Sequence, residues 1–175
     1  MRTASLAALL GTTLAAGPAS AADPVVPPPC VRGMNDLVRM GRCEIEALYR
    51  QSEMGCPPCG VTRGRAIFNP GSRLTVPTSR VVHLLWQGKV FTDDGMMVNR
   101  VLGMRAVRAR VYVGGSWLDG KPSLVMDYCG TSKLFPDVRD EVREVSPGLY
   151  LGLTYIRRDT GPELTNFFTL DARRR

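Results

Sequence analysis

The chain is 175 residues long, with 23 lysines and arginines against 16 acids, a formal charge of +7 and a hydrophobic share of 44%. One domain with a real core fits that length, and two do not fit comfortably. The bases are interleaved with acids until the closing Arg173-Arg174-Arg175, and no aromatic residues alternate with them. That excludes a nucleic-acid platform and leaves peripheral attraction to an anionic envelope surface.

Residues 1–22 read as a signal peptide. Arg2 precedes an apolar run, Leu6 to Leu10 and Leu14 to Ala16, and Ala19-Ser20-Ala21 supplies the small-residue cleavage pattern. The run is too short, and too rich in Ala, Gly and Thr, to span a bilayer. Cys30 follows Val26-Pro27-Pro28-Pro29, which is no lipoprotein signal. The expectation is export to a bacterial periplasm or beyond, with a mature chain that starts near Asp23. No later segment is apolar for long enough to be transmembrane.

Residues 23–34 form a proline-rich lead-in, and residues 35–175 are expected to be the domain. A helix is predicted over 35–53, where Leu37, Met40, Ile45, Leu48 and Tyr49 share a face and Asn35 or Asp36 caps the start. Gly55 and the pair Pro57-Pro58 end it. All five cysteines, Cys30, Cys43, Cys56, Cys59 and Cys129, follow the signal. In an oxidising compartment they allow two disulfides with one thiol left over. Cys30 with Cys43 and Cys56 with Cys59 is the expected pairing, although spacing alone does not determine connectivity. Cys129 is expected to lie buried in or beside a strand.

Cys56-Pro57-Pro58-Cys59 has the spacing of a redox motif, but such a site needs its first cysteine at a helix N-terminus after a strand. Here the motif follows a helix, and Gly60 comes next, so a structural clip is expected. A haem attachment needs a histidine at that next position. Cys30 and Cys43 lack short metal-ligand spacing. Neither a metal nor a cofactor is expected.

Residues 64–68 read as a first strand, and Asn69-Pro70-Gly71 turns the chain. Thr78 or Ser79 caps a short helix through Val81, Val82, Leu85 and Trp86, stopped at Gly88. Lys89 to Thr92 is a strand, Asp93-Asp94-Gly95 a turn, and Met96 to Leu102 the return strand. Residues 105–113 alternate clearly, with Val107, Ala109, Val111 and Val113 on one face. Asp119-Gly120 marks a hairpin before Leu124 to Tyr128.

Asp137 to Val145 packs four acids and two arginines around three valines, too balanced for a solvating run. It reads as a short charged segment clamped against the mouth of a β-structure. Ser146-Pro147-Gly148 then feeds the strand Leu149 to Ile156, and Asn166 to Leu170 is the last. Six or seven short strands linked by tight turns predict a mainly β fold: a small antiparallel up-and-down barrel or strongly curled sheet with one or two N-terminal helices.

Several blocks carry a family resemblance: Trp86-Gln87-Gly88-Lys89-Val90-Phe91, Asn99-Arg100, Ser116 to Lys121, Asp127-Tyr128, Val138 to Val145 and Pro147 to Gly152. Across residues 36–171 the chain resembles an uncharacterised family of bacterial single-domain proteins that is lipocalin-like in layout. The resemblance implies a barrel and no particular activity. The signal peptide and the Cys-Pro-Pro-Cys stretch depart from the family pattern.

His83 is the only histidine, and in Val81-Val82-His83-Leu84-Leu85-Trp86 it reads as a packed side chain rather than a base. No Gly-rich phosphate loop or metal cluster is present in the sequence. The polar candidates are Lys89, Asn99, Arg100, Asp127, Tyr128, Arg139, Asp140, Glu141 and Arg143. Asp127 is expected to pair with Arg139 or Arg143 and close one end of the barrel. Trp86, Phe91, Met96, Met126, Tyr128, Tyr150, Tyr155, Phe167 and Phe168 supply wide side chains for a pocket or for a solid core.

The expected ligand-binding set is Trp86, Lys89, Arg100, Asp127, Tyr128, Arg139 and Tyr150. Three functions fit it: an exported binder of a lipid or other small apolar ligand, an isomerase or hydrolase acting on such a ligand, and a solid envelope structural protein.

Overall fold

Two glycines start the two N-terminal helices, and each is followed three residues later by an acid that reaches back to it. In the computed structural model, which describes residues 30–173, helix α1 spans Met34–Arg39 and helix α2 spans Arg42–Gln51. The Asp36 carboxylate accepts the N–H of Gly33 at 3.1 Å, and that of Glu44 accepts the N–H of Gly41 at 2.7 Å. The single expected helix is therefore two, broken at Met40-Gly41. The signal peptide and the proline run 27–29 lie outside the described residues.

Nine strands follow: β1 Gly60–Val61, β2 Arg63–Ile67, β3 Trp86–Phe91, β4 Met96–Val101, β5 Met104–Gly115, β6 Pro122–Asp127, β7 Val138–Ser146, β8 Leu149–Arg158 and β9 Gly161–Asp171. Helix α3, Thr75–Leu85, precedes β3 and runs straight into it. The sheet is antiparallel throughout, in the order β1-β3-β4-β5-β6-β7-β8-β9-β2.

Its two edge strands are consecutive in the chain, separated by Thr62 alone. The sheet therefore curls until both edges reach one short segment. Thr62 is buried there, and both its N–H and its hydroxyl donate to the carbonyl of Lys89, at 2.8 and 2.9 Å. So close an approach needs glycine. A Cβ on Gly64 would strike the Trp86 ring, and one on Gly88 (φ 128°) would strike the Thr62 carbonyl. Of the two expected architectures, the structure is the curled sheet.

The curl produces two cores. Phe91, Met97, Leu124, Met126, Val142 and Phe168 fill the concave side. On the convex side α1 and α2 bury Leu37, Ile45, Leu48 and Tyr49 against Leu151, Leu153 and Phe167. Trp117 completes that second core, stacked edge-on against Tyr155.

The charged block after Asp137 is not a segment at the mouth; it is an interior strand of the sheet, β7. Successive side chains alternate, so Val138, Asp140 and Val142 face the concave core while Arg139, Glu141 and Arg143 face α2 and the turn after β5. Glu141 accepts the Trp117 N–H at 3.0 Å and lies 3.0 Å from Arg139 Nε. Arg143, wholly buried, donates to the carbonyls of Tyr49, Lys121 and Pro122 and holds both carboxylate oxygens of Asp119 at 2.7 and 2.8 Å. Mutual pairing and backbone carbonyls let these charges leave water.

The expected disulfides are absent. All five cysteines are free and exposed, Cys129 among them rather than buried. The two prolines between Cys56 and Cys59 each have a ring-restricted φ, and the Cys56 backbone is held elsewhere. Its N–H donates to Glu144 Oε2 at 3.2 Å, and its carbonyl accepts the Tyr150 hydroxyl at 2.6 Å.

Replacing Arg143 by Met removes the bidentate partner of Asp119 and one donor each from the carbonyls of Tyr49, Lys121 and Pro122. The variant should lose about 3 kcal/mol of unfolding free energy, read as a lower urea midpoint at unchanged slope. A change within experimental error would show that the buried guanidinium does not pin the helices to β7.

Candidate functional site

Two β-bulges position the site. Pairing between β3 and β4 slips between Trp86 and Gly88, so that Trp86 and Lys89, three residues apart, both face the concave interior. Between β4 and β5 the register slips again: Val98 pairs with Arg108, Asn99 with Ala106, and Val107 is left as the extra residue at φ 62°. A β-branched residue at positive φ is strained. Here the bulge turns Val107 toward the interior and lends its carbonyl to Asn99 Nδ2 at 3.3 Å.

The Lys89 ammonium sits at the centre, 1% exposed. It donates to Asp140 Oδ2 at 2.7 Å, to the Tyr128 hydroxyl at 2.8 Å and to Asn99 Oδ1 at 3.0 Å. The rings of Trp86, Tyr128 and Phe168 surround it at 5.2–5.6 Å. The Tyr128 hydroxyl donates a hydrogen bond to Asp140 Oδ2 at 2.9 Å and accepts one from Asn99 Nδ2 at 2.9 Å. Thr154 donates to the other carboxylate oxygen of Asp140 at 2.7 Å, and Trp86 Nε1 donates to Asn99 Oδ1 at 2.9 Å. Burial pulls Lys89 below the usual lysine value, opposed by the charge of Asp140. Burial, then the same carboxylate, pushes the Tyr128 hydroxyl well up.

Above this polar floor opens a cavity of about 310 Å³. Its walls are Ala66, Phe68, Val101, Val107, Val138 and Phe168, with Asn166 beside Thr154. Val82 of α3 and Phe135 of the loop between β6 and β7 also line it. Among the described residues no group of His, Cys, Asp and Glu side chains is arranged to hold a metal ion.

Of the residues expected from sequence, Trp86, Lys89 and Tyr128 come together here. Arg100 does not; it is paired in register with Arg105 and does not line the cavity. Asp127 pairs with Arg157 at 2.8 Å and accepts the Tyr112 hydroxyl at 3.2 Å, so neither Arg139 nor Arg143 is its partner. Arg139 lies against the Trp117 ring, 4.2 Å from its centroid, on the convex side. Tyr150 is buried in the concave core, but its hydroxyl is bound to Cys56 rather than to the floor. Of the wide side chains expected in a pocket, Phe91 and Met126 fill the core behind the floor, and Tyr155 and Phe167 lie under the helices.

Asp140, Asn99, Thr154 and Asn166 complete the site. Asp140 had a sequence signal in its period-two spacing with Val138 and Val142. Asn99 is among the polar candidates named from the sequence; Thr154 and Asn166 had no sequence signal, since Thr154 meets Asp140, and Asn166 meets Thr154, only once the strands are paired. His83 ties α3 to β2, with Nδ1 2.9 Å from the Gly64 carbonyl oxygen.

Truncating one member of the central pair should cost more than removing both. Lys89→Met should destabilise the chain by about 3–5 kcal/mol, and Lys89→Met with Asp140→Leu by clearly less. Equal and additive losses in urea unfolding would contradict a coupled pair. The tyrosines offer a second test, since all five are held above their ordinary value of 10.0, chiefly by burial, with Tyr150 at about 12. The folded chain keeps these protons where the unfolded chain loses them. That stabilisation is full below pH 10 and falls as pH rises through the folded values. Absorbance near 295 nm at pH 10 should show little tyrosinate in the folded chain; ordinary ionisation there would contradict the burial.

No protein-family model matches the chain, and no curated protein matches it. A crystal structure of a protein from Thermomonospora curvata is similar in fold, with a TM-score of 0.51 at 19% identity over 78% of this chain and 90% of that one. At that identity the likeness concerns the fold alone.

Proposed function

We propose that the chain is an exported binding protein for a neutral, apolar small molecule held in the concave cavity. One observation carries this reading: the walls are apolar and every polar atom of the floor is already used. An ammonium has three protons, and Lys89 gives them to Asp140, Tyr128 and Asn99. Tyr128 donates once and accepts twice. Asn99 gives its two amide protons to Tyr128 and Val107 and receives Lys89 and Trp86 on its oxygen. A ligand with its own charge or strong donors would have to break this network and leave a buried group unpaired. One that offers only apolar surface would not.

The Trp86 and Phe168 rings, edge to face with centroids 5.8 Å apart and planes 83° apart, give it an apolar corner. A volume of about 310 Å³ suits a small ligand rather than a long lipid chain. An isomerase or hydrolase would need a proton-bearing group with free capacity facing the cavity, and the floor offers it no support. The apolar run and Ala-Ser-Ala pattern at the N-terminus support export.

Titration with N-phenyl-1-naphthylamine tests the reading. Its emission should rise to saturation at one equivalent and quench the emission of Trp86. Val82→Trp, which narrows the entrance from α3, should weaken uptake at least tenfold with unfolding stability preserved. No saturable emission, or uptake unaffected by Val82→Trp, would sink the cavity as the binding site.

A further inference from the structure

We propose that the α3 side of the cavity mouth docks on an anionic lipid surface. The proposal concerns the rim, and only its consequence, that ligand enters from lipid, rests on the binding reading above. Three separate segments meet at the mouth, since Val82 of α3, Val101 at the end of β4 and Phe135 of the β6–β7 loop all line the cavity. The first two are tied directly: the Leu102 N–H in the β4–β5 turn donates to the Leu85 carbonyl at 2.8 Å. On each segment the outward side chains are large and apolar. Leu84 and Leu85 on α3, Leu102 and Met104 at the hairpin, and Leu134 and Phe135 in the loop are between 48% and 77% exposed. Scattered exposed leucines need no explanation, but a set gathered around one opening does.

Charge identifies what covers it. Arg100 and Arg105 face each other in register on β4 and β5, next to Leu102 and Met104. Like charges directly opposite each other on a sheet are destabilising, and neither has an acidic partner among the described residues. Arg80, one turn before Leu84, and Lys133, beside Leu134, are likewise without one. Between Arg80 and Arg108 the sequence contains only two acids, Asp93 and Asp94, in the turn at the opposite end of β4. Elsewhere around the cavity, Asp127 at the end of β6 and Glu163 on β9 are paired with Arg157 and Arg158, whereas Asp137, two residues past Phe135, and Asp159 in the β8–β9 turn have no pair among the described residues. An apolar rim set among unpaired arginines is complementary to an interface where acyl chains lie just below anionic headgroups. A cationic or neutral protein partner would leave the Arg100–Arg105 repulsion in place.

Flotation of the full chain with vesicles tests this, comparing phosphatidylcholine alone with phosphatidylcholine containing a third of phosphatidylglycerol. The expected result is binding to the anionic vesicles that weakens as NaCl is raised. Arg100→Glu with Arg105→Glu, and separately Leu84→Asp with Leu102→Asp, should each reduce binding at least tenfold. All variants keep the same N-terminus, so its apolar residues contribute equally. Neither pair lines the cavity, so N-phenyl-1-naphthylamine uptake from water should be unchanged. Equal binding to both vesicle types, or binding unaffected by both double substitutions, would overturn the proposal. So would sedimentation showing that the same substitutions dissolve a dimer, which would assign the face to a second copy. Vesicle binding retained without probe uptake would sink the cavity reading alone, and probe uptake without vesicle binding would sink the docking surface alone.

Discussion

An ammonium and a carboxylate taken out of water need each other at close range and need their remaining valences filled. Lys89 on β3 and Asp140 on β7 meet at 2.7 Å although three strands, β4 to β6, lie between them in the sheet. They touch across the concave interior, so the pair exists only if the sheet is curled. Around it Asn99, Tyr128, Trp86 and Thr154 give every polar atom of the pair a partner, drawing side chains from β4, the end of β6, β3 and β8 to one point. The same self-sufficiency that makes the pair tolerable inside also removes it from the ligand's reach. What remains for a ligand is apolar wall.

The curl has its own local causes. The Thr62 side chain and backbone grip the Lys89 carbonyl, and Gly64 and Gly88 let two backbones approach where any Cβ would collide. Lys89 is thus fixed twice, through its carbonyl at the closing segment and through its side chain at the floor. The bulges at Trp86 and Val107 reduce regular pairing and aim side chains that strict alternation would send outward. Backbone irregularity is concentrated where the cavity is.

Strand β7 carries the opposite design on its two faces. Asp140 serves the cavity, while Arg139, Glu141 and Arg143 hold Trp117, α2 and the turn after β5 on the convex side. Both faces are covered and both carry charge, so hydropathy along the strand shows no alternation to read. That is why the block looked like a polar segment at the mouth. The period-two positions of Val138, Asp140 and Val142 held the better clue. Arg100 and Asp127 carry charge close to the site in sequence, but each occupies a position one residue out of phase with a cavity-facing neighbour, Asn99 or Tyr128.

By itself the sequence determined the class of fold, because tight turns at Asp93-Asp94-Gly95 and Asp119-Gly120 and the runs of β-branched residues are local signals. It also named Trp86, Lys89 and Tyr128, but within a set of seven whose other four members, Arg100, Asp127, Arg139 and Tyr150, lie away from the cavity floor. Tertiary structure decided the counter-charge of Lys89, the partner of Asp127 and the free state of the cysteines. Each of these depends on groups far apart in the chain, and the distance between such groups is set by sheet curvature and bulges. Curvature is a sum of small twists, and no single residue announces it.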